Sequence, residues 1–368
     1  MTLRILVVGA GIAGLAAARG LRVAGFRPDV VEALPATMSP SAGIYLPGNA
    51  SRALRLLGLD VPLRPLGDLI FRQVFLDARG RELFEMDVAG LWAGVGESRA
   101  LSRADLQQVL LTGVGGEVRY DTEVRDLQIV EGGAKVEFTT GAIAEYDLVV
   151  GADGRRSTIR EKIGLGGPAT PTGQIVYRAV VSGGPPLTDW TAVLGRRAQF
   201  VAMPMGGRKI YCYADETAPD APDPADPRAR VQEVFGSFGG PVPAILDRIE
   251  KVSVARTDEV VLPSWSSGPV VLVGDAAHAT APTLAQGAAM SFEDGFVLGQ
   301  ELRRAEGGIA GALRAYEQRR RPRCADVRDR TRERDRTRDV PPSLRDPMLR
   351  RRGLRIFTDQ YKGLLAPV

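Results

Sequence analysis

Residues 4–32, RILVVGAGIAGLAAARGLRVAGFRPDVVE, constrain this chain more than any other stretch. Ile5–Val8 is a short apolar run, the pattern of a strand buried on both faces. Gly9, Gly11 and Gly14 follow in the spacing G-x-G-x-x-G, with Ile12 and Ala13 between the last two. Residues 15–21 have helical character, and Asp29–Val31 reads as a second buried strand ending on Glu32. The three glycines serve different ends. Gly9 permits the tight turn, Gly11 lets a pyrophosphate approach the backbone, and Gly14 lets the helix pack close to the sheet, helped by Ala18. The helix N-terminus offers free N–H groups and a partial positive charge to that phosphate. Glu32 stands where a carboxylate accepts both hydroxyls of an adenosine ribose and repels a 2′-phosphate. The segment therefore points to NAD or FAD rather than NADP. A lone G-x-G-x-x-G says little, but here the strand before, the helix after and the distal acid are all present.

The 368 residues suffice for two domains, or for one elaborated domain with a large core. No apolar run is long enough to span a bilayer, and no basic region or cleavage site precedes the first strand, so neither a membrane span nor a signal peptide is expected. Cys212 and Cys324 are far apart in sequence and His278 is the single histidine. A disulfide framework, a metal site and most serine-triad chemistry are therefore not expected, and a reducing cytoplasm fits. The basic balance is local. Residues 314–355 hold 16 basic and 7 acidic side chains, net +9, leaving 32 basic against 37 acidic elsewhere, net −5. Arginines alternate with acids from Arg328 to Asp339, which predicts a solvated helical face with pairs such as Glu333–Arg336. Without interleaved aromatics, nucleic acid is not an expected partner.

Further along, residues 43–59 read as strand, turn and helix, with Asn49 or Ser51 as N-cap and Gly58 at the end. Residues 68–77 and 82–88 alternate around Ala78-Arg79-Gly80 as a hairpin. Ser102 is placed to cap a helix, and residues 117–146 predict a strand and a hairpin. Residues 147–151 and 269–273 are further buried strands, each running into a glycine turn. With Ile5–Val8 they are expected to lie side by side in one sheet, their C-terminal ends on a common edge. The strands near 174–181, 191–195, 199–204 and 209–214 should form an antiparallel sheet, with two short helices near 230–238 and 243–248. Long helices are predicted over 288–304 and from 309 to 323, extending towards 338. Pro341-Pro342 breaks the helix before a last short one over 353–365.

Three motifs occur in order: GAGIAG with Glu32, GADGRRSTIR at 151–160, and GDAAHATAP at 274–282, together with a helix SRADLQQVLL. This set resembles the single-component FAD-dependent aromatic hydroxylases, the p-hydroxybenzoate hydroxylase-like family of class A flavoprotein monooxygenases, over residues 3–323. The resemblance implies an α/β fold. A Rossmann-like FAD-binding domain (1–67, 101–167, 263–323) would carry an inserted antiparallel β-sheet substrate domain (68–100, 168–262) and a C-terminal helical segment (324–368). It places FAD along the sheet edge, near Gly9, Gly11, Ile12, Ala13 and Gly14. Glu32 would hold the adenosine ribose, Ile44 the ring, Arg103 the pyrophosphate, and Gly274 and Asp275 the ribityl chain. Asp153, Gly154 and Arg160 would lie near the passage used by FAD and NAD(P)H, and Pro282, Gly287 and Ala288 beside the flavin. The helix starting there can stabilise an anionic reduced flavin with its N–H groups. Two positions depart from the family. Ala289 replaces an often-present Asn, and Ser41 stands where the prototype has an arginine, so no nicotinamide-phosphate contact is carried over.

The implied reaction uses NADH or NADPH and O2. Hydride reduces FAD, oxygen gives a C4a-hydroperoxide near Pro282 and Gly287, and one oxygen atom passes to an aromatic or heteroaromatic small molecule. Tyr177, Arg178, Tyr211 and Tyr213 lie on strands that could face that substrate. His278 is read as packing or hydrogen bonding, and no catalytic base is assigned. The remaining alternatives are an epoxidase or Baeyer–Villiger-type oxygenase of the same fold, or a flavoprotein that shields a reactive intermediate without turnover. A monomer or homodimer is expected.

Overall fold

The apolar run at the N-terminus becomes the centre of the molecule. The computed structural model of the chain describes residues 3–36, 42–116, 118–304 and 307–368. Ile5–Val8 pairs in parallel with Leu148–Gly151 on one side and Asp29–Val31 on the other, and Val270–Leu272 lies beyond Leu148–Gly151. Ser266–Ser267 and Val118–Arg119 complete a six-stranded sheet as its edges. The three expected strands are thus neighbours, and their glycine turns leave from one edge.

Helix Ile12–Val23 packs on this sheet and against Gly287–Arg304 along a seam of small residues. A Cβ at Gly20 would lie 1.8 Å from the Gly295 carbonyl oxygen, and one at Gly299 would lie 2.3 Å from that of Gly20. No larger residue fits without parting the helices.

The strands at Thr170–Ser182, Trp190–Leu194, Ala198–Pro204 and Lys209–Thr217 lie in a seven-stranded sheet with Arg72–Asp77, Glu82–Asp87 and Ser253–Glu259. It is not wholly antiparallel as predicted: Trp190–Leu194 pairs in parallel with Arg72–Asp77. The two strands come from distant parts of the chain, so the long connection that parallel pairing requires is available. Helices Pro227–Phe235 and Val242–Leu246 cover the outer face with a second core containing Tyr177, Phe200 and Phe235. The inner face looks toward the parallel sheet.

Several local expectations change. Asp68–Leu69 leaves the hairpin and pairs with Arg99–Ser102, which also pairs with Gly43–Leu46. Helix Gly48–Leu56 has Pro47 at its N-cap position. Asn49 lies inside it, buried, and its amide donates to Gln286 at 2.8 Å, so neither Asn49 nor Ser51 caps it. Gly58, with φ of 69°, does follow its end. Ser102 flanks helix Arg103–Val114 without a side-chain cap.

The tail is more ordered than the charge pattern suggests. Gly308–Arg336 is one helix of 29 residues running through Pro322, followed by a 3₁₀ turn, Thr337–Asp339. Pro342 starts rather than ends a helix: Pro342–Leu365 begins 11 residues before the expected start, and its buried Leu349, Phe357, Tyr361 and Leu364 outweigh the hydrogen bond lost at Pro347. No Glu333–Arg336 ion pair occurs among the described residues. Pairs at helical spacing do form, Arg330 with Asp326 and Arg338 with Asp335, and arginines also reach other elements: Arg332 pairs with Glu259, Arg338 with Asp215, and fully buried Arg320 with Glu293 and Asp294 at 2.5 and 2.7 Å. No helix among the described residues is long and apolar enough to cross a membrane.

Candidate functional site

A cavity of about 360 Å³ lies where the C-terminal edge of the parallel sheet meets the inner face of the seven-stranded sheet. One side is made mostly of backbone. Gly11, Gly154 and Gly287 line it, and a Cβ on any of them would enter open space rather than protein. Gly9 and Gly14 act behind them. A Cβ at Gly9 would sit 2.6 Å from the Ala152 carbonyl oxygen, and one at Gly14 would sit 1.8 Å from that of Gly9. Gly274, with φ of 58°, closes against Ala13 in the same way. Three motif loops thus meet because a glycine stands on one side of each junction. Such a cradle, open only toward the cavity, fits a dinucleotide pyrophosphate.

Ile12, Ala13, Ile44, Arg103, Asp275, Pro282 and Ala288 also line the cavity. Helix Gly287–Arg304 begins at its wall, so the positive end of its dipole faces inward. Ala285, which shapes the turn before that helix, holds φ of 53°, a region L side chains rarely adopt. Glu32 lies just outside, its carboxylate accepting from Ala10 N at 2.7 Å. Burial lowers the Arg103 pKa, Arg178 nearby lowers it further, and Asp275 partly offsets both.

The opposite side is built of side chains. Arg178 pairs across the sheet with Tyr213, which pairs with Val201, and Tyr211 pairs with Met203. The two-residue period puts all of them on the inner face with Gln199. Buried Asp215 accepts from Gln199 Nε2 at 2.7 Å and pairs with Arg338. The Tyr213 hydroxyl is buried without a hydrogen-bond partner among the described residues. Burial raises the pKa of Tyr211 and holds Tyr213 well above the usual range, so both are neutral donors at ordinary pH.

Three expected residues are placed elsewhere, and His278 packs and hydrogen-bonds as its sequence context suggests. Tyr177, one position from Arg178, faces the outer core and donates to Glu216 at 2.6 Å. Asp153 turns inward, accepting from Ser157 Oγ at 2.5 Å and Ile159 N at 3.0 Å, where it pins the loop that presents Gly154. Arg160 is fully buried and donates to the carbonyls of Ala276 and Arg155, stapling two motif loops together. His278 packs on Trp265 and lies 2.6 Å from Asp294. Cys324 completes that cluster, but Asp294 is already taken up by His278, Arg320 and Gly274 N. His278 and Cys324 border a separate groove of about 780 Å³, which meets the GD motif only at Ala277 and His278. Ser41 lies outside the described residues. Trp190, Gln199, Met203 and Arg334 line the cavity and were not anticipated. Strand parity could have found Gln199 and Met203, but nothing in the sequence marks Arg334.

A family model described as an FAD binding domain matches residues 2–331. The chain is 32% identical to an aurachin C monooxygenase/isomerase of Stigmatella aurantiaca, over 86% of this chain and 84% of the relative. It is also 32% identical to a 3-hydroxybenzoate 6-hydroxylase of Polaromonas naphthalenivorans, over 88% and 85%. The crystal structure of Klebsiella pneumoniae HpxO complexed with FAD and uric acid superimposes with a TM-score of 0.90 at 26% identity, covering 99% of this chain and 97% of that one.

Proposed function

The chain belongs to the class A FAD-dependent, aromatic-hydroxylase-like monooxygenases, and from that premise we propose that the cavity described above is where FAD and a ring-bearing small molecule meet. It is an FAD-dependent oxidoreductase. When bound, FAD accepts hydride from NADH or NADPH, activates O2 and delivers one oxygen atom. The rest of the chemistry is positioning. Gly11 and the N-terminus of helix Ile12–Val23 receive the pyrophosphate with Arg103, Glu32 takes the adenosine ribose, and Asp275 takes the ribityl chain. Ile44, Pro282, Gly287 and Ala288 surround the ring, and the helix dipole at Gly287 favours negative charge there. On this reading residues 1–67, 101–167 and 263–323 hold the cofactor, 68–100 and 168–262 hold the substrate, and 324–368 ties the two together. The enzyme works on a small molecule in the cytoplasm, as a monomer or homodimer.

The substrate, on this reading, is an aromatic or heteroaromatic ring. One observation carries it. Arg178, Gln199, Tyr211 and Tyr213 face the open glycine positions across one cavity. Those side chains offer donors and an acceptor to ring substituents and enclose the reaction away from water. Protein purified with FAD should retain a flavin spectrum that bleaches with NADH or NADPH and recovers in air, and a suitable aromatic should accelerate that cycle and leave one oxygen atom heavier. Retained flavin that neither NADH nor NADPH reduces, with or without an aromatic, would favour the shielding role instead.

A further inference from the structure

We propose that the cavity takes an aromatic ring carrying an anionic group, a carboxylate or a deprotonated ring oxygen, and that Arg334 of the tail helix binds that group. The proposal rests on the monooxygenase reading of the same cavity. The charges in the lining are unequal: Arg103, Arg155, Arg178 and Arg334 face only Asp258 and Asp275. Arg155 is paired with Asp258 at 2.8 Å. Arg103 and Asp275 have their places along the cofactor. Arg178 and Arg334 remain, and neither has a carboxylate partner among the described residues.

Arg334 is the more telling of the two. Its guanidinium lies over the Phe357 ring, 3.7 Å from the centroid, with Phe75 at 5.8 Å. Packing surrounds it, and the surface it keeps is directed to the cavity. One helical turn on, Arg338 shows the contrasting arrangement, neutralised by Asp215 and Asp335. A half-buried guanidinium that lines a cavity with no paired carboxylate among the described residues is stabilised when an anion arrives. The aromatic face holds its planar fork in place meanwhile, so a carboxylate can be gripped in two-pronged fashion. Trp190 and Tyr213 also line the cavity and can pack on the ring itself. A tail helix outside the motif-bearing region would thereby choose the substrate's charge.

The test uses the FAD-loaded enzyme and follows flavin absorbance on titration with hydroxybenzoates and 6-hydroxynicotinate, each beside its carboxamide. The wild type should bind the acids about 30-fold more tightly than the amides, the size of a charge-assisted hydrogen bond. Arg334→Met should bring that ratio to about 1 by weakening acid binding far more than amide binding, and Arg334→Lys should restore part of it. Equal binding of acids and amides by the wild type overturns the proposal, with no variant needed. So does an equal loss of both in Arg334→Met, which would make the residue a structural staple for Phe357. If only amides stimulate NAD(P)H oxidation, the hydroxylase reading stands and this inference falls. If neither acids nor amides perturb or stimulate the flavin, both fall.

Discussion

The two sides of the cavity are built on opposite principles. On the parallel-sheet edge, Gly11, Gly154 and Gly287 shape the site by having no side chain, and the binding groups are backbone N–H and helix ends. On the facing wall, Arg178, Gln199, Tyr211, Tyr213 and Arg334 shape it with side chains drawn from three strands and a tail helix. The first kind of surface suits a cofactor shared by many enzymes, because main-chain geometry tolerates no variation. The second suits a substrate that differs from one enzyme to the next, because each side chain can change alone.

If that contrast holds, damage to the edge should be global and damage to the wall selective. Gly14→Val should have the largest effect, since a Cβ there meets the Gly9 carbonyl oxygen at 1.8 Å. A loss of about 4 kcal/mol and no retained flavin are expected, read by urea unfolding and absorbance. A stable variant with normal flavin would break the contrast. Arg320→Met comes next. It leaves buried Glu293 with Arg323 alone and buried Asp294 with His278 and Gly274 N, and should cost about 3 kcal/mol. That result would show that the tail helix belongs to the structure of the edge as well as to the wall.

Smaller effects sharpen the comparison. Glu32→Ala should weaken FAD binding about tenfold with the fold intact, because a hydrogen-bonded carboxylate is lost at the ribose. Unchanged FAD affinity would move Glu32 out of the cofactor site. Arg338→Gln should raise the KM for the aromatic several-fold, roughly 5-fold, and leave FAD affinity alone, since Asp215 and Gln199 lose their anchor. The smallest effect is on pH dependence. Asp294 is pulled below the ordinary carboxylate range: burial opposes this, but His278 and Arg320 beside it prevail. Its contribution is present above about pH 4 and is lost as pH falls through the depressed value. His278 is raised well above 6.5: burial opposes this, but Cys324 and Asp294 prevail. Its contribution is present below that value and is lost as pH rises through the raised one. Thermal melts should fall off on the alkaline side in the wild type and less steeply in His278→Gln.

Legibility followed the same division. The strand–glycine–helix–acid order of residues 4–32 sufficed to place Gly9, Gly11, Gly14 and Glu32, and the other two glycine turns are expected on the same edge and are found there. Of the four wall residues named from sequence, Arg178, Tyr211 and Tyr213 reach the cavity and Tyr177 does not, because a strand alternates faces and sequence alone left the parity open. Asp153 and Arg160 sit in the expected motif, yet their side chains turn into the protein and brace its loops. The arginine-rich tail was legible only in part: it is helical and pairs at helical spacing, Arg330 with Asp326 and Arg338 with Asp335. Alternating charge looks the same on a solvated helix and on one whose arginines also reach across the molecule to Asp215 and Glu259.

What the sequence determined by itself was the dinucleotide edge, since a missing Cβ, a positive φ and a helix N-terminus are properties of a few adjacent residues. Only the tertiary structure decided which face of the seven-stranded sheet meets that edge, and that Arg334 arrives there without a carboxylate partner among the described residues. Those outcomes depend on strand parity and on helix packing between segments far apart in the chain, and no local pattern encodes either.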